Sequence, residues 1–265
     1  MTNDQFLKLF QKTLFDLSYF DSLKTIKDLQ IASADFDDSV WWNNATIDTP
    51  PPSLQTVSEV EAYFSSIDRH PVFYFAQNPQ NQPFEQLLTN SGYHQTDYEV
   101  WLQIKNPQID TAKFHQIKLV RTTKDLETFI ATIDKGYGAD DPDNPYGGLG
   151  SYPDQIRKSF SLHGPDSAIS HYVLFDELNA PASVGSLTNY DSIGYISNLA
   201  TIPEKRKLGY SRALLNYFLH LSVQNGNQTH CLATEVGSTP NKIYQHLGFT
   251  EMFRAKYYTK HHLKT

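Results

Sequence analysis

The segment from residue 195 to residue 215 combines residue types that together can bind a diphosphate. A β-type run stops at Pro203, a basic turn follows, and a helical pattern begins at Gly209. The N-terminus of a helix presents unpaired N–H groups and a positive dipole end, both of which favour an anion. Gly209 lets the backbone approach a ligand closely, and Arg206 and Lys207 add positive charge. The segment therefore predicts a pyrophosphate cradle between a strand and a helix.

This turn matches neither of the two better-known phosphate loops, because the glycine spacing of both the P-loop and the Rossmann loop is absent. It resembles the Arg/Gln-x-x-Gly-x-Gly/Ala signature of the GCN5-related N-acetyltransferases (GNAT), which bind the pyrophosphate of acetyl-CoA. The last position is a departure, since Ser211 stands where that signature has Gly or Ala. The alternative is an ordinary strand-to-helix turn with solvent-exposed charges. The matching residues are Arg206, Lys207, Leu208, Gly209, Tyr210 and Ser211.

A second motif follows at the spacing that the same family has. An apolar run at 229–234 has strand length, and a helix predicted at 241–247 ends at Gly248, a typical left-handed C-terminal residue. The string Tyr244-x-x-x-Gly248-Phe249 is similar to the GNAT motif near the end of the domain. Two motifs in family order predict a GNAT-like α/β fold, with a mixed, mostly antiparallel sheet flanked by helices.

The resemblance covers roughly residues 116–260 and predicts two domains. A polar, proline-broken segment at 105–113 reads as a linker. We therefore expect an acetyl-CoA-binding GNAT domain at 112–265 and a separate N-terminal domain at 1–108.

The N-terminal domain shows signs of an internal repeat. Gly92-Tyr93 aligns with Gly248-Phe249 at an offset of 156 residues, and Trp101 then aligns with Tyr257. No Arg-x-x-Gly-x-Gly/Ala pattern precedes Val72. These observations predict a tandem arrangement with a degenerate N-terminal copy that lacks the CoA loop. The alternative is chance similarity, because glycine commonly ends helices.

The resemblance also implies roles for individual residues. Backbone N–H groups on the strand before the cradle would polarise the thioester carbonyl, with splaying of the strands near Asn198, and Tyr244 would protonate the CoA thiolate. Many members carry a carboxylate near the positions of Ser197 and Asn198, and this chain does not. Glu235 is therefore the candidate base, with an ordered water as the alternative. The complete cofactor-binding set is Leu199, Ala200, Thr201, Arg206, Lys207, Leu208, Gly209, Tyr210, Ser211 and Asn241.

The acceptor is expected to contact the loop at 137–148, which is acidic, aromatic and rich in turn-forming residues. An acidic, tyrosine-lined mouth suits a small cationic amine through Coulomb attraction and cation–π contact. The alternative is a mobile, solvated loop. The candidate substrate-binding residues are Tyr137, Asp140, Asp141 and Tyr146.

Composition limits the classes of partner. The formal net charge is −7, which argues against nucleic acid or an anionic membrane as partner. Cys231 is the only cysteine, and neither a signal-peptide pattern nor an apolar run of membrane-spanning length occurs, so we expect a cytoplasmic protein. No Cys/His spacing resembles a zinc site, so we expect no metal. A monomer or a homodimer is expected.

Together these observations predict an N-acetyltransferase that moves an acetyl group from acetyl-CoA to a primary amine of a small molecule by direct attack. Two alternatives remain open from the sequence. One is a catalytically inactive acyl-CoA-binding or sensor module, which the missing carboxylate favours. The other is a peptide or protein N-acetyltransferase, which would need an open groove.

Overall fold

The structure is a computed structural model that describes residues 1–47, 52–141 and 148–260. The chain forms two compact units. The first unit comprises Met1–Trp101, Thr234–Ile243 and Glu251–Thr265, and the second comprises Leu102–Ala233 and Tyr244–Thr250. The ranges predicted from the sequence were contiguous, whereas the first unit also takes two segments from the C-terminal part of the chain.

The helices begin and end close to the sequence signals that predict them. Thr122 caps α4 with its side chain in a capping box, and α6 follows a glycine, as the cradle motif requires. The helices are α1 (Asn3–Asp16), α2 (Leu54–Ser66), α3 (Gln82–Asn90), α4 (Thr123–Gly136), α5 (Tyr152–His163), α6 (Tyr210–Gln224) and α7 (Thr239–His246).

The strands lie between these helices and after the last of them, singly or in runs of two or three. They are β1 (Ser22–Ile26), β2 (Leu29–Ser33), β3 (Asn43–Thr46), β4 (Val72–Ala76), β5 (His94–Gln103), β6 (Ile117–Leu119), β7 (Ile169–Phe175), β8 (Pro181–Tyr190), β9 (Ile193–Thr201), β10 (Thr229–Glu235) and β11 (Thr250–Thr259).

The first unit has a mixed sheet in the order β1-β2-β3-β4-β11-β5. The strand β11 comes from the end of the described chain and pairs antiparallel with β4, with Tyr257 opposite Tyr74. The helices α2 and α3 cover one face of this sheet, where Phe64, Phe73 and Phe84 are buried in one core. Because β11 lies between β4 and β5, the first unit is complete only when the C-terminal strand is present.

The second unit has a sheet in the order β10-β9-β8-β7-β6. Strands β6 to β9 are antiparallel neighbours, and β9 and β10 are parallel. Adjacent residues of β7 face opposite sides of the sheet: the ring of His171 contacts Phe129 of α4, and the ring of Tyr172 contacts Phe218 of α6. The sheet therefore lies between α4 and α6.

The end of each half of the chain repeats the same local structure. A helix ends at a glycine with positive φ, +84° at Gly92 and +93° at Gly248, and a ten-residue strand follows. The amide after each glycine donates to a helix carbonyl at 3.0 Å: Tyr93 to Leu88, and Phe249 to Tyr244. Both hydrogen bonds are related by the offset of 156 residues that the sequence suggests.

Across the described ranges, the helices are too short or too polar for any of them to cross a membrane.

Candidate acetyl-CoA site

The turn between β9 and α6 has the geometry of an anion cradle. A short 3-10 turn, Pro203–Lys205, ends β9, and the chain then passes through positive φ at Lys207 (+64°) and Gly209 (+82°) before α6 begins. Gly209 is the N-cap of α6 and no side chain caps the helix there. A side chain at Gly209 would meet no atom within 4 Å of its Cβ, so the glycine is needed for its positive φ rather than for lack of space.

The amides of this turn are free to bind a ligand. Within the described ranges, no amide of residues 207–212 donates a hydrogen bond to another atom of the chain, and the first such bond of the helix runs from Ala213 to Gly209. The side chains of Lys207 and Arg212 are exposed beside these amides. The donor set therefore fits a pyrophosphate, which binds to backbone N–H groups and to cations. Arg212 is a cation that the motif alone did not single out.

The side chain of Arg206 binds atoms of its own chain. Its guanidinium forms a bidentate ion pair with Asp141, with Nη1 at 3.0 Å from Oδ1, and Nη2 also donates to the carbonyl of Gly136 at 3.2 Å. A further bond runs from Nε to the carbonyl of Thr201 at 3.3 Å. Arg206 thus ties the end of β9 to the loop after α4. Its predicted contact with pyrophosphate stays a prediction.

Two further contacts join the turn to carboxylates of the β7–β8 connection. Lys205 pairs with the buried carboxylate of Asp176 at 2.8 Å, and this charge, with two backbone amides, lowers the pKa of Asp176. The hydroxyl of Tyr210 donates to Glu177 at 2.9 Å. Hydrogen bonds from the backbone amide of Glu177 and from Tyr210 lower the pKa of that carboxyl to about 2. Both contacts anchor the turn to the β7–β8 connection.

The parallel strands beside the turn separate where the sequence predicts it. Pairing of β9 with β10 ends at Tyr195 opposite Cys231, although β9 continues to Thr201. On its other edge, β9 has an irregular register with β8 between Val184 and Ser186, and Asn198 has a φ of +56°. A bulge of this kind bends a strand and changes the direction of the backbone groups that follow it. Asn198 and Leu199 lie in the bulge, opposite Gly185, and Ala200 and Thr201 follow it.

A buried polar network supports the bulge. Asn198 donates from Nδ2 to Ser186 Oγ at 3.1 Å and accepts at Oδ1 from the hydroxyl of Tyr152 at 2.9 Å. Ser186 Oγ lies 2.7 Å from Nδ1 of His171. Burial lowers the pKa of His171 to about 4, so its imidazole is neutral at physiological pH. Periodicity places these residues on strands but does not reveal the network, because its members come from three strands and a helix.

Tyr244 belongs to the second unit and is half-buried near the C-terminus of α7. Its ring packs against Phe249 with ring centroids 5.9 Å apart. Its carbonyl accepts hydrogen bonds from the amides of Leu247 and Phe249 that close the helix. The backbone of Tyr244 therefore takes part in ending the helix, and its ring contacts Phe249.

Glu235 and Asn241 group with the first unit. The Glu235 side chain is exposed. Asn241 is buried, and its backbone amide donates to Ser238 Oγ at 3.2 Å, which caps the helix. Its side-chain Oδ1 has no partner in the described part of the chain. An unpaired buried carbonyl oxygen requires a donor, and the N–H of a ligand could supply it.

The first unit also contains a carboxyl group that the sequence did not single out. Glu99 accepts hydrogen bonds at Oε2 from the hydroxyls of Tyr74 at 2.6 Å and Tyr257 at 3.4 Å. Burial raises the pKa of Glu99 to about 7. This carboxyl group therefore titrates near neutral pH.

The residues predicted to bind the acceptor separate into different environments. Asp140 is exposed, and Tyr137 is half-buried at the end of α4, where burial raises the pKa of its phenol. Asp141 is the partner of Arg206, so its charge is already neutralised by the protein. Tyr146 lies outside the described residues.

No group of three or more His, Cys, Asp or Glu side chains within the described ranges is arranged to hold a metal ion.

Comparison with solved structures identifies the fold. The chain is similar to a GCN5-related N-acetyltransferase from Kribbella flavida, with a TM-score of 0.67, 14% identity and coverage of 97% of this chain and 95% of the other. A GCN5-related N-acetyltransferase from Sphaerobacter thermophilus gives a TM-score of 0.63 at 11% identity, covering 94% and 84%. A tandem GNAT protein from the clavulanic acid biosynthesis pathway gives 0.59 at 12% identity, covering 89% and 79%.

No protein-family model and no curated protein matches the sequence. The likeness therefore rests on structure and establishes the fold. The mixed, mostly antiparallel α/β sheet flanked by helices, predicted from two short motifs, is confirmed as the GNAT fold.

Proposed function

We propose that this chain, which has the GNAT fold, is an acetyl-CoA-dependent N-acetyltransferase that acts on the primary amine of a small molecule. The observation that carries the proposal is the row of unpaired amides at the start of α6, directly after a strand that has separated from its parallel neighbour. A pyrophosphate fits the amides, and the separated strand edge offers main-chain donors to the acyl-carrying arm.

In the proposed reaction the amine nitrogen bonds to the acetyl carbon as the carbon–sulfur bond breaks. Amides of Leu199 and Thr201 donate to the carbonyl oxygen as it gains negative charge. The hydroxyl of Tyr244 gives its proton to the departing thiolate, and an ordered water takes the proton that the amine loses. Leu208, Tyr210 and Ser211 supply backbone amides to the cradle. The role of Glu235 as the base and the contact of Asn241 with CoA stay predictions.

Three features of the first unit support its interpretation as a copy without a CoA site. The N-terminus of α2 is capped by the side chain of Ser53, which accepts from the amide of Thr56 at 3.3 Å. Parallel pairing of β3 with β4 continues to Thr46, the last residue of β3, so the strands do not separate there. The position that matches Tyr244 is Leu88, which has no proton to donate.

A small cationic amine remains the proposed acceptor, with Tyr137 and Asp140 as the described residues that would contact it. Asp141 of the acidic loop forms a bidentate ion pair with Arg206. This carboxylate therefore holds the cradle turn and does not bind the acceptor. We therefore assign recognition of positive charge to Asp140 and the position of the loop to Asp141.

A thiol-release assay tests the proposal. Acetyl-CoA is incubated with the full chain and with amines, amino acids and peptides supplied in turn, and free thiol is measured. We expect release that depends on a small amine, with the acetylated amine detected by mass spectrometry. Release with peptides alone would support the peptide-transferase alternative, and acetyl-CoA binding without release for any acceptor would support the inactive module.

A further inference from the structure

The network of Ser186, His171 and Asn198 supports the bulge of β9, and the role proposed for it rests on the acetyl transfer proposed above. We propose that Ser186 and His171 are positioning residues: through the side chain of Asn198 they hold β9 in the conformation that aims the amides of Leu199 and Thr201 at the acyl group. Both Ser186 and His171 are buried, and the ring of His171 lies on the α4 side of the sheet against Phe129.

The backbone of Asn198 has an unusual conformation. Its φ of +56° is a conformation that non-glycine residues rarely adopt, and Asn is among the residues that tolerate it best. The register with β8 is irregular at this point, so fewer ladder hydrogen bonds hold the strand. The side chain of Asn198 compensates, because it bonds to β8 through Ser186 and to α5 through Tyr152.

The hydrogen bonds of Ser186 each have a definite direction. Ser186 Oγ accepts from Asn198 Nδ2, which leaves the hydroxyl proton of Ser186 for another acceptor. Nδ1 of the neutral His171, at 2.7 Å, is that acceptor. This assignment places the imidazole proton on Nε2, which has no partner in the described part of the chain. The chain of bonds therefore fixes which side of the Asn198 amide faces β8.

The same arrangement of an asparagine, a serine and a histidine occurs a second time, at the opposite end of β9. Ser222 Oγ lies 2.7 Å from Nδ1 of His230 and accepts from Nδ2 of Asn227 at 3.0 Å. Ser222 is as buried as Ser186. It packs beside Gly194, at the start of β9, where β9 and β10 are still paired. Ser222 therefore provides a control of matched chemistry away from the bulge.

The test compares Ser186→Ala with Ser222→Ala in the full chain. Each variant removes a serine hydroxyl that binds one buried histidine and one asparagine. We therefore expect the two variants to lose a similar amount of stability. We expect only Ser186→Ala to reduce kcat, roughly 10- to 100-fold, because small misplacement of reacting groups costs up to about that factor. The KM for acetyl-CoA should change less than kcat, since the cradle at residues 207–212 is unaltered. Equal kcat values for the two variants would overturn the proposal.

A second variant pair keeps the proposal testable if Ser186→Ala fails to fold. Asn198→Gly and Asn198→Ala both remove the side chain, but glycine adopts positive φ without strain. We expect Asn198→Ala to reduce kcat more than Asn198→Gly, and equal losses would contradict a role for the backbone bulge. Hydrogen exchange of the 196–201 segment, followed by mass spectrometry, separates this proposal from the proposed function. Exchange should be faster in Ser186→Ala than in Ser222→Ala even if the wild type releases no thiol, and equal exchange would overturn the positioning role.

Discussion

Gly209→Glu is expected to abolish the rise in melting temperature that acetyl-CoA produces in the wild-type chain. A ligand that binds only the folded protein stabilises it by about 2.7 kcal/mol at a hundredfold excess over its Kd. The new carboxylate would lie beside the unpaired amides of residues 207–212, where it repels phosphate and competes for the same donors. Differential scanning fluorimetry with and without acetyl-CoA measures the effect.

Gly209→Ala is the matched control for this variant. Like Gly209→Glu, it places a side chain at the unfavourable φ of +82°, but it adds no charge, and its Cβ meets no atom within 4 Å. We expect both variants to lower the melting temperature of the ligand-free protein by a similar amount, and only Gly209→Ala to keep a response to acetyl-CoA. A Gly209→Glu protein whose melting temperature responds to acetyl-CoA as fully as that of wild type would contradict the assignment of this turn as a pyrophosphate cradle.

Tyr244→Phe is expected to reduce kcat about 100-fold, at the low end of the effect of general acids. A phenol that donates to a departing thiolate acts in the transition state, so KM should change less than kcat. The ring remains, and with it the contact to Phe249 and the backbone bonds that end α7, so the melting temperature should hardly move. Steady-state kinetics with the best amine from the thiol-release panel provide the measurement.

Tyr217→Phe controls for the loss of a phenol elsewhere in the second unit. Tyr217 packs between the rings of Phe114 and Tyr172 and takes no part in the proposed mechanism. The kcat of the Tyr217→Phe variant should equal that of the wild-type protein. Near-native turnover in Tyr244→Phe, with the chemical step shown to limit the rate, would remove Tyr244 from the mechanism.

The sequence predicted the elements that local signals determine. The helical pattern that begins at Gly209 is α6, and the β-type run that stops at Pro203 is β9, since a glycine and a proline together mark a strand-to-helix turn. The separation of the strands near Asn198 also followed from the resemblance and is present in the structure. These features depend on residues close together in the chain.

Contacts between distant residues were beyond the sequence patterns. Arg206 matches a phosphate-binding signature, yet its partner is a carboxylate 65 residues earlier, and no local pattern encodes that pairing. Ser186 and His171 read as ordinary strand residues until the register of β7 and β8 brings their side chains together. The place of β11 between β4 and β5 likewise depends on strand pairing, so the contiguous domain ranges drawn from the linker at 105–113 missed it.

We expect the chain to have one acetyl-CoA site, built at the start of α6 in the second unit. Isothermal titration calorimetry of acetyl-CoA into the full-length chain tests it most directly. We expect saturable binding of one molecule per chain, because α6 offers unpaired amides whereas α2 is capped by Ser53. Absence of saturable binding, or two molecules bound per chain, would contradict it.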